Sequence, residues 1–400
     1  MKIMAVICEY NPFHNGHAYQ LRRQKEELGC DAIICLMSGH FVQRGEPAIC
    51  DKWARAEMAV SCGCDLVLEL PVVYALRSAE GFAEGAVSLL AALGIEGHLA
   101  FGSETADATV LSSLAELTLH ESFHKRLQEM LAEGLGYPQA CQEATEALLG
   151  SRAAAVLRNP NDLLGVSYIK AIQKTKAKLV PAVVRREKGQ HDSLVAESEF
   201  LSATGIRNAI FENEEFAGYM PEEAYNIFRR EVQEGRAPVS KEAVSSLLSY
   251  AIMKTEATEL AHISGISEGL EMRLKQAAAG SRGFAELTER VKTKRYPLTR
   301  INRACMNILL GITKEDAVLP PAYGRILALG QKGREIIRFL QNKTSVPFIT
   351  KSALASLQTE EAKRMFALDL LATDVYTLLY PDAEKGKSGL DFYRSPIVKK

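Results

Sequence analysis

The chain has 400 residues with 48 Lys+Arg against 49 Asp+Glu, a formal net charge of −1, and 47% of it is hydrophobic. That composition excludes intrinsic disorder, fibrous repeats and a miniature disulfide scaffold, and at roughly 150 residues per domain the length suggests two or three domains with a sizeable core. The apolar run Ile3 to Cys8 meets Glu9 before reaching the length of a secretory signal, and no later stretch approaches the roughly 18 apolar residues of a membrane span, so a cytoplasmic chain with no membrane role is expected. Cys62 and Cys64 are the one close cysteine pair and lack a matching second pair, so no protein-held metal site is expected.

In chain order, short apolar runs alternate with helical patterns. Strands are predicted at Ile3–Cys8, Ala32–Met37, Leu66–Leu70, His98–Phe101 and Leu179–Val184. Helices are predicted at His17–Leu28, at Lys52–Ser61 behind an Asp51 cap, and at Ala79–Leu93 behind Ser78. This alternation implies an α/β fold with a doubly wound parallel sheet. The helical stretch Glu104 to Ala177 reads as an insertion in it, and a mainly helical second half begins beyond a boundary near residue 220. The expected division is a catalytic unit over 1–220 and a helical, basic unit over 221–400.

Ligands of such sheets bind beyond the carboxyl ends of the strands, so the loops there come first in the search for chemistry. The first is Glu9-Tyr10-Asn11-Pro12-Phe13-His14-Asn15-Gly16-His17, between the first strand and the first helix. Backbone N–H groups and the positive dipole end of a helix make a phosphate site there. His14 and His17, with Gly16 permitting close backbone approach, can both donate to charge developing on a triphosphate. A His-x-Gly-His in this position is the signature of the nucleotidyltransferase superfamily, which adenylates substrates at the α-phosphate of ATP.

Ser202-Ala203-Thr204-Gly205-Ile206-Arg207 resembles the hydroxyl-rich helix start ending in Arg that such enzymes place on the β- and γ-phosphates. Three more segments follow strands: Ser38 to Pro47, which carries His40 and Arg44; Phe101-Gly102-Ser103-Glu104; and Arg186.

Asn11-Pro12-Phe13-His14-Asn15-Gly16-His17, the Ser38 to Pro47 loop, Pro160-Asn161 followed by Leu164-Gly165, and Arg186 together resemble the bacterial tRNA(Met) cytidine acetate ligases over most of the chain. The resemblance implies an enzyme that activates acetate with ATP to acetyl-adenylate and pyrophosphate, then transfers the acetyl group to the wobble cytidine of elongator tRNA(Met), giving N4-acetylcytidine; magnesium is expected because the attack needs phosphate charge neutralised. It implies an ATP site of Ile7, Cys8, Glu9, Tyr10, Asn11, Pro12, Phe13, His14, Asn15, Gly16, His17, Ala18, Tyr19 and Gln20, joined by Gly102, Asn161 and Arg186. Ser202, Thr204 and Arg207 are added from their own motif, and His14 and His17 are the candidate catalytic residues. His40 departs from the family's Asn, which bears on the acetate or cytidine pocket rather than on ATP.

Residues 1–200 carry 19 basic and 25 acidic side chains, residues 201–400 carry 29 and 24, so a polyanion should dock on the second half. Within it, Lys292, Lys294, Arg295, Arg300 and Arg303 surround Tyr296 with no acid between them. Cations for phosphates beside an aromatic for an unpaired base is the composition of an RNA-loop binder, here assigned to tRNA. A second basic cluster runs from Arg325 through Lys332, Arg334 and Arg338 to Lys343. Two alternatives remain: a small-molecule adenylyltransferase of coenzyme synthesis, which needs no basic helical half, and a non-catalytic ATP-binding module.

Overall fold

The computed structural model describes residues 1–186, 201–351 and 357–399. Its centre is an eight-stranded sheet. β1 (Ile3–Cys8), β2 (Ala32–Ser38), β3 (Leu66–Leu70), β4 (Gly97–Ser103) and β5 (Leu179–Arg185) run parallel in the order β3-β2-β1-β4-β5. β1 to β3 are almost wholly apolar because both faces of the sheet are covered, Glu69 in β3 being the charged exception. In β1, Ile3 and Ala5 enter one hydrophobic cluster while Met4, Val6 and Cys8 enter another on the opposite face.

Local signals start the flanking helices where the sequence places them. Asp51 Oδ1 accepts the Ala54 N–H at 2.8 Å and opens helix Lys52–Ser61, and Ser78 opens Ala79–Ala92. The first helix begins at Asn15 rather than His17, because His14 itself is the cap, and it stops at Gly29 with φ of 57°. The fourth strand extends to Ser103, so Gly102 lies inside it and not in the loop beyond. The insertion forms helices Ala108–Leu117, Glu121–Ala132, Tyr137–Leu149, Ser151–Val156 and Pro160–Thr175.

The second half is mainly helical, but it does not stand apart from the sheet. β6 (Gly324–Leu329) pairs antiparallel with β3, so the sheet is mixed rather than wholly parallel. β7 (Phe348–Ile349) and β8 (Ile397–Val398) pair in turn with the two ends of β6. One hydrophobic cluster therefore contains Ile3, Leu68 and Tyr74 of the first half with Ile301, Tyr323 and Tyr376 of the second. The boundary near residue 220 falls in a short connection between helices Ala203–Glu212 and Glu222–Gln233, and the sheet crosses it.

A buried ionic cluster ties the chain's last segment to this sheet edge. Lys52 Nζ lies 2.8 Å from Glu69 and 2.9 Å from Asp391, and Arg325 bridges the same two carboxylates. Arg325 is thus a buried core residue and not part of a basic surface.

Candidate functional site

The order β3-β2-β1-β4-β5 reverses direction between β1 and β4, and at such a switch point the loops leaving the carboxyl ends diverge and open a crevice. A cleft of about 560 Å³ occupies that position. Its wall includes Ile7, Cys8, Glu9, Tyr10 and Asn11 from the end of β1, and His14, His17 and Gln20 from the first helix. Gly102, Asn161 and Arg186 line it from the β4 and β5 side, and Ser202, Thr204 and Arg207 from the next helix start. The remaining expected residues lie behind this wall: Pro12 and Phe13 are buried, Ala18 packs on the sheet's second cluster, Asn15 donates to the Gly218 carbonyl at 2.9 Å, and Tyr19 packs with Arg23. Gly16 serves through its backbone, which donates to His14 Nδ1 at 3.1 Å.

The two histidines form one unit. His17 Nδ1 accepts the His14 backbone N–H at 3.3 Å, completing a reciprocal cap. The rings stack with centroids 3.6 Å apart. Since each Nδ1 accepts a hydrogen bond, the proton of each neutral ring sits on Nε2, which stays available as a donor. Burial, with Arg186 nearby, lowers the His14 pKa to about 4, and burial with His14 and Arg186 beside it lowers that of His17. Both rings are therefore neutral donors at pH 7.

Arg186 is set by a relay. Its Nη1 donates to Asn161 Oδ1 at 2.9 Å, Asn161 Nδ2 donates to Glu104 at 2.6 Å, and Glu104 also accepts the Asp162 N–H at 3.0 Å. Asp162, fully buried, accepts from Ser103, Thr105 and Asn159. Gly102 permits the arrangement, for a Cβ there would sit 2.8 Å from Arg186 Cγ. Arg207 donates to the Asn11 carbonyl at 2.8 Å, to Glu46 at 3.1 Å and to Thr204 at 3.4 Å, which fixes it beside the histidine loop. The Ser202 hydroxyl caps its own helix through the Gly205 N–H at 3.1 Å.

Arg55 and Asp162 position the site and carry no sequence signal that singles them out, and Glu104 stands inside the Phe101 to Glu104 segment, which by itself gives it no role. Arg55 is fully buried and donates to the carbonyls of Glu9, Ser38, Gly39 and Cys50, gathering the loops that leave β1 and β2. Gln43, Arg44, Thr299 and Arg303 also line the cleft, the last two from helix Leu298–Leu310 of the second half. Arg303 thus faces the cleft, apart from the surface stretch it was grouped with. His40 does not line it: the ring is buried and stacks on Tyr376 at 4.3 Å, so the departure from the family's Asn falls in the core.

The cleft wall carries four guanidinium groups, Arg44, Arg186, Arg207 and Arg303, against the carboxylate of Glu9, whose pKa burial raises. This is the charge balance of a polyphosphate site. Magnesium on a nucleotide keeps several waters and takes one or two protein carboxylates, and Glu9 fits that part. Among the described residues no group of three or more His, Cys, Asp or Glu could hold a metal alone.

In the basic stretch, Lys294 and Arg295 are exposed, but Lys292 lies 3.1 Å from Glu289, and Arg295 and Arg300 each lie 3.3 Å from Glu268. Tyr296 is 6% exposed, donates its hydroxyl to the Glu268 carbonyl and lies under the Arg300 guanidinium at 5.4 Å. It is a packed residue in this structure, not an open stacking surface. Among the described residues no helix is long and apolar enough to cross a membrane.

The chain is similar to known proteins over its whole length. The HIGH Nucleotidyl Transferase family model matches residues 1–390. The tRNA(Met) cytidine acetate ligase of Caldanaerobacter subterraneus subsp. tengcongensis is 39% identical over 406 residues, covering 100% of both chains, and that of Acetivibrio thermocellus is 36% identical over 414 residues with the same coverage. The crystal structure of Thermotoga maritima TmcAL bound with alpha-thio ATP superposes with a TM-score of 0.92 at 35% identity, covering 100% of this chain and 99% of that one. The stacked histidines at the switch point and this full-length similarity make the chain a member of the tRNA(Met) cytidine acetate ligase family of HIGH nucleotidyl transferases.

Proposed function

We propose that this chain is an ATP-dependent tRNA(Met) cytidine acetate ligase. It activates acetate as acetyl-adenylate, then passes the acetyl group to the exocyclic amine of the wobble cytidine in elongator tRNA(Met). The observation that carries the reading is the stacked pair His14 and His17, two neutral Nε2–H donors on the wall of a four-arginine cleft, in a chain that matches such ligases end to end.

In the first step an acetate oxygen attacks the α-phosphorus of ATP, the bond from that phosphorus to the bridging oxygen breaks, and pyrophosphate leaves. His14 and His17 donate to the phosphoryl oxygens where negative charge builds, and Arg186 and Arg207 orient the phosphates. Glu9, the cleft's carboxylate, would hold a magnesium ion brought in with the nucleotide, and that ion would supply neutralisation of phosphate charge. In the second step the cytidine amine attacks the acetyl carbonyl and AMP leaves. Neither step requires a covalent enzyme intermediate. For tRNA, the exposed cations Lys294 and Arg295, with Lys292 and Arg300 beside them, are the proposed phosphate contacts.

Exchange of radiolabelled pyrophosphate into ATP tests the reading. Acetate-dependent exchange, followed by acetylation of elongator tRNA(Met) transcripts, is expected. Exchange that needs a nucleotide acceptor and ignores acetate would identify a coenzyme adenylyltransferase, and none at all would leave an ATP-binding module.

A further inference from the structure

Arg303 is built differently from Arg186 and Arg207, the cleft cations that the protein itself holds. Arg186 is held by Asn161, and Arg207 by Glu46, Thr204 and the Asn11 carbonyl. Arg303 comes from the second half of the chain, and among the described residues its guanidinium makes a single hydrogen bond, Nη1 to the Gln43 carbonyl at 3.3 Å. No carboxylate of the described residues stands against it, whereas Lys292, Arg295 and Arg300 in the same basic stretch are all paired with Glu289 or Glu268. It is partly buried, and desolvation together with Arg300 pulls its pKa down to about 10. A partly buried guanidinium that faces a cavity without a counter-anion is a site for one supplied by a ligand.

The backbone that carries it is fixed in place. Gly45 has a φ of +77° and a Cβ there would lie 2.3 Å from the Arg303 backbone nitrogen, so the loop and helix Leu298–Leu310 meet backbone to backbone. The same loop is fastened to the end of β1, where the Gln43 N–H donates to Glu9 at 2.8 Å. Arg303 is therefore held within one residue's reach of the segment that opens the histidine motif. Arg44 and Thr299, which share this wall with it, are both exposed, so this side of the cleft is its solvent-facing mouth. The terminal phosphates of a nucleotide seated on the helix start would reach that mouth, and pyrophosphate would leave through it.

We propose that Arg303 binds the β- and γ-phosphate oxygens of ATP and stabilises pyrophosphate as it departs, so the second half of the chain completes the adenylating site. This deepens the acetate-ligase reading and rests on it for the identity of the leaving group. A guanidinium presents two parallel N–H donors to phosphate oxygens, which an ammonium cannot.

The test compares ATP with AMP, which lacks the two phosphates in question. By titration calorimetry, Arg303→Gln should weaken ATP binding about 10- to 100-fold, the range for losing one or two charge-assisted hydrogen bonds, and leave AMP binding within about twofold. Arg303→Lys, which keeps the charge and the stem, should lose less and serves as the second variant if the Gln form does not fold. Equal weakening of ATP and AMP, or unchanged ATP affinity with a raised KM for tRNA, would overturn the proposal, the latter in favour of a tRNA phosphate contact. If the unmodified protein lacks acetate-dependent exchange, the ligase reading fails while the ATP/AMP comparison still decides the role of Arg303.

Discussion

The imidazoles of His14 and His17 stack with their centroids 3.6 Å apart and their planes 26° from parallel, each Nδ1 occupied by a backbone N–H of the same turn. The cap and the chemistry are therefore the same two side chains. Removing His17 takes one preorganised donor from developing phosphoryl charge, so His17→Ala should slow acetyl-adenylate formation about 10²–10³-fold. His14→Ala should act similarly and also weaken the helix start, by about 1 kcal/mol for a lost cap. Single-turnover adenylation and thermal melting separate the two effects, and near-normal adenylation in His17→Ala would remove it from the mechanism.

The lowered His14 pKa makes stability depend on pH in a defined window. The folded protein holds this ring neutral down to about pH 4, whereas in the unfolded chain it takes up a proton near its ordinary value of 6.5. Between those values the unfolded state binds the extra proton, so the stability present above pH 6.5 is lost as the pH falls toward 4. For this one group the slope is at most about 1.4 kcal/mol per pH unit. His14→Gln should flatten the dependence of Tm on pH there, and an unchanged slope would mean that other groups set it.

Gly102 admits Arg186 by lacking a side chain. In Gly102→Ala the new Cβ meets Arg186 Cγ at 2.8 Å and must push the arginine off Asn161. The expected result is a KM for ATP raised about tenfold or more, the scale of one charge-assisted hydrogen bond, with little change in Tm. A large loss of Tm with a normal KM would place the strain in the sheet instead.

The exposed Lys294 and Arg295 are expected to meet tRNA phosphates. Changing both to Ala should weaken tRNA binding and lower the log–log salt slope by roughly 0.7–0.9 for each phosphate no longer neutralised. Filter binding at several salt concentrations measures this, and an unaltered affinity and slope would rule the segment out.

Tyr296, packed beneath Arg300 and bonded to the Glu268 carbonyl, should behave as a core residue. Tyr296→Ala is expected to cost about 3–5 kcal/mol of stability, the range for a large buried aromatic. A stacking role would appear as weakened tRNA binding with an unchanged Tm.

The first half of the chain was legible in the sequence because its signals are local. Continuous apolar runs specify strands covered on both faces, Asp51 and Ser78 cap their helices within three residues, and the histidine loop combines strand end, glycine and helix start in nine positions. The parallel direction of the strands follows from the alternation of strand and helix, which puts the histidine loop at the carboxyl edge, whereas its place at the switch point is set by the strand order of the folded sheet.

Contacts over long sequence separation were decided only by the tertiary structure. The strand Gly324–Leu329 is a short apolar run interrupted by Arg325, which reads as a basic surface until Glu69 and Asp391 are brought to it in the core. Tyr296 and Lys294 are equivalent by composition, and packing against Arg300 and Glu268 separates a buried ring from an exposed cation. Arg303 belongs to the same basic stretch, yet helix Leu298–Leu310 docks on the loop at Gly45 and turns it into the cleft. A charge in a sequence carries its sign but not its partner, and the partner, fixed by folding, determines whether that charge holds the core together, meets solvent or waits for a ligand.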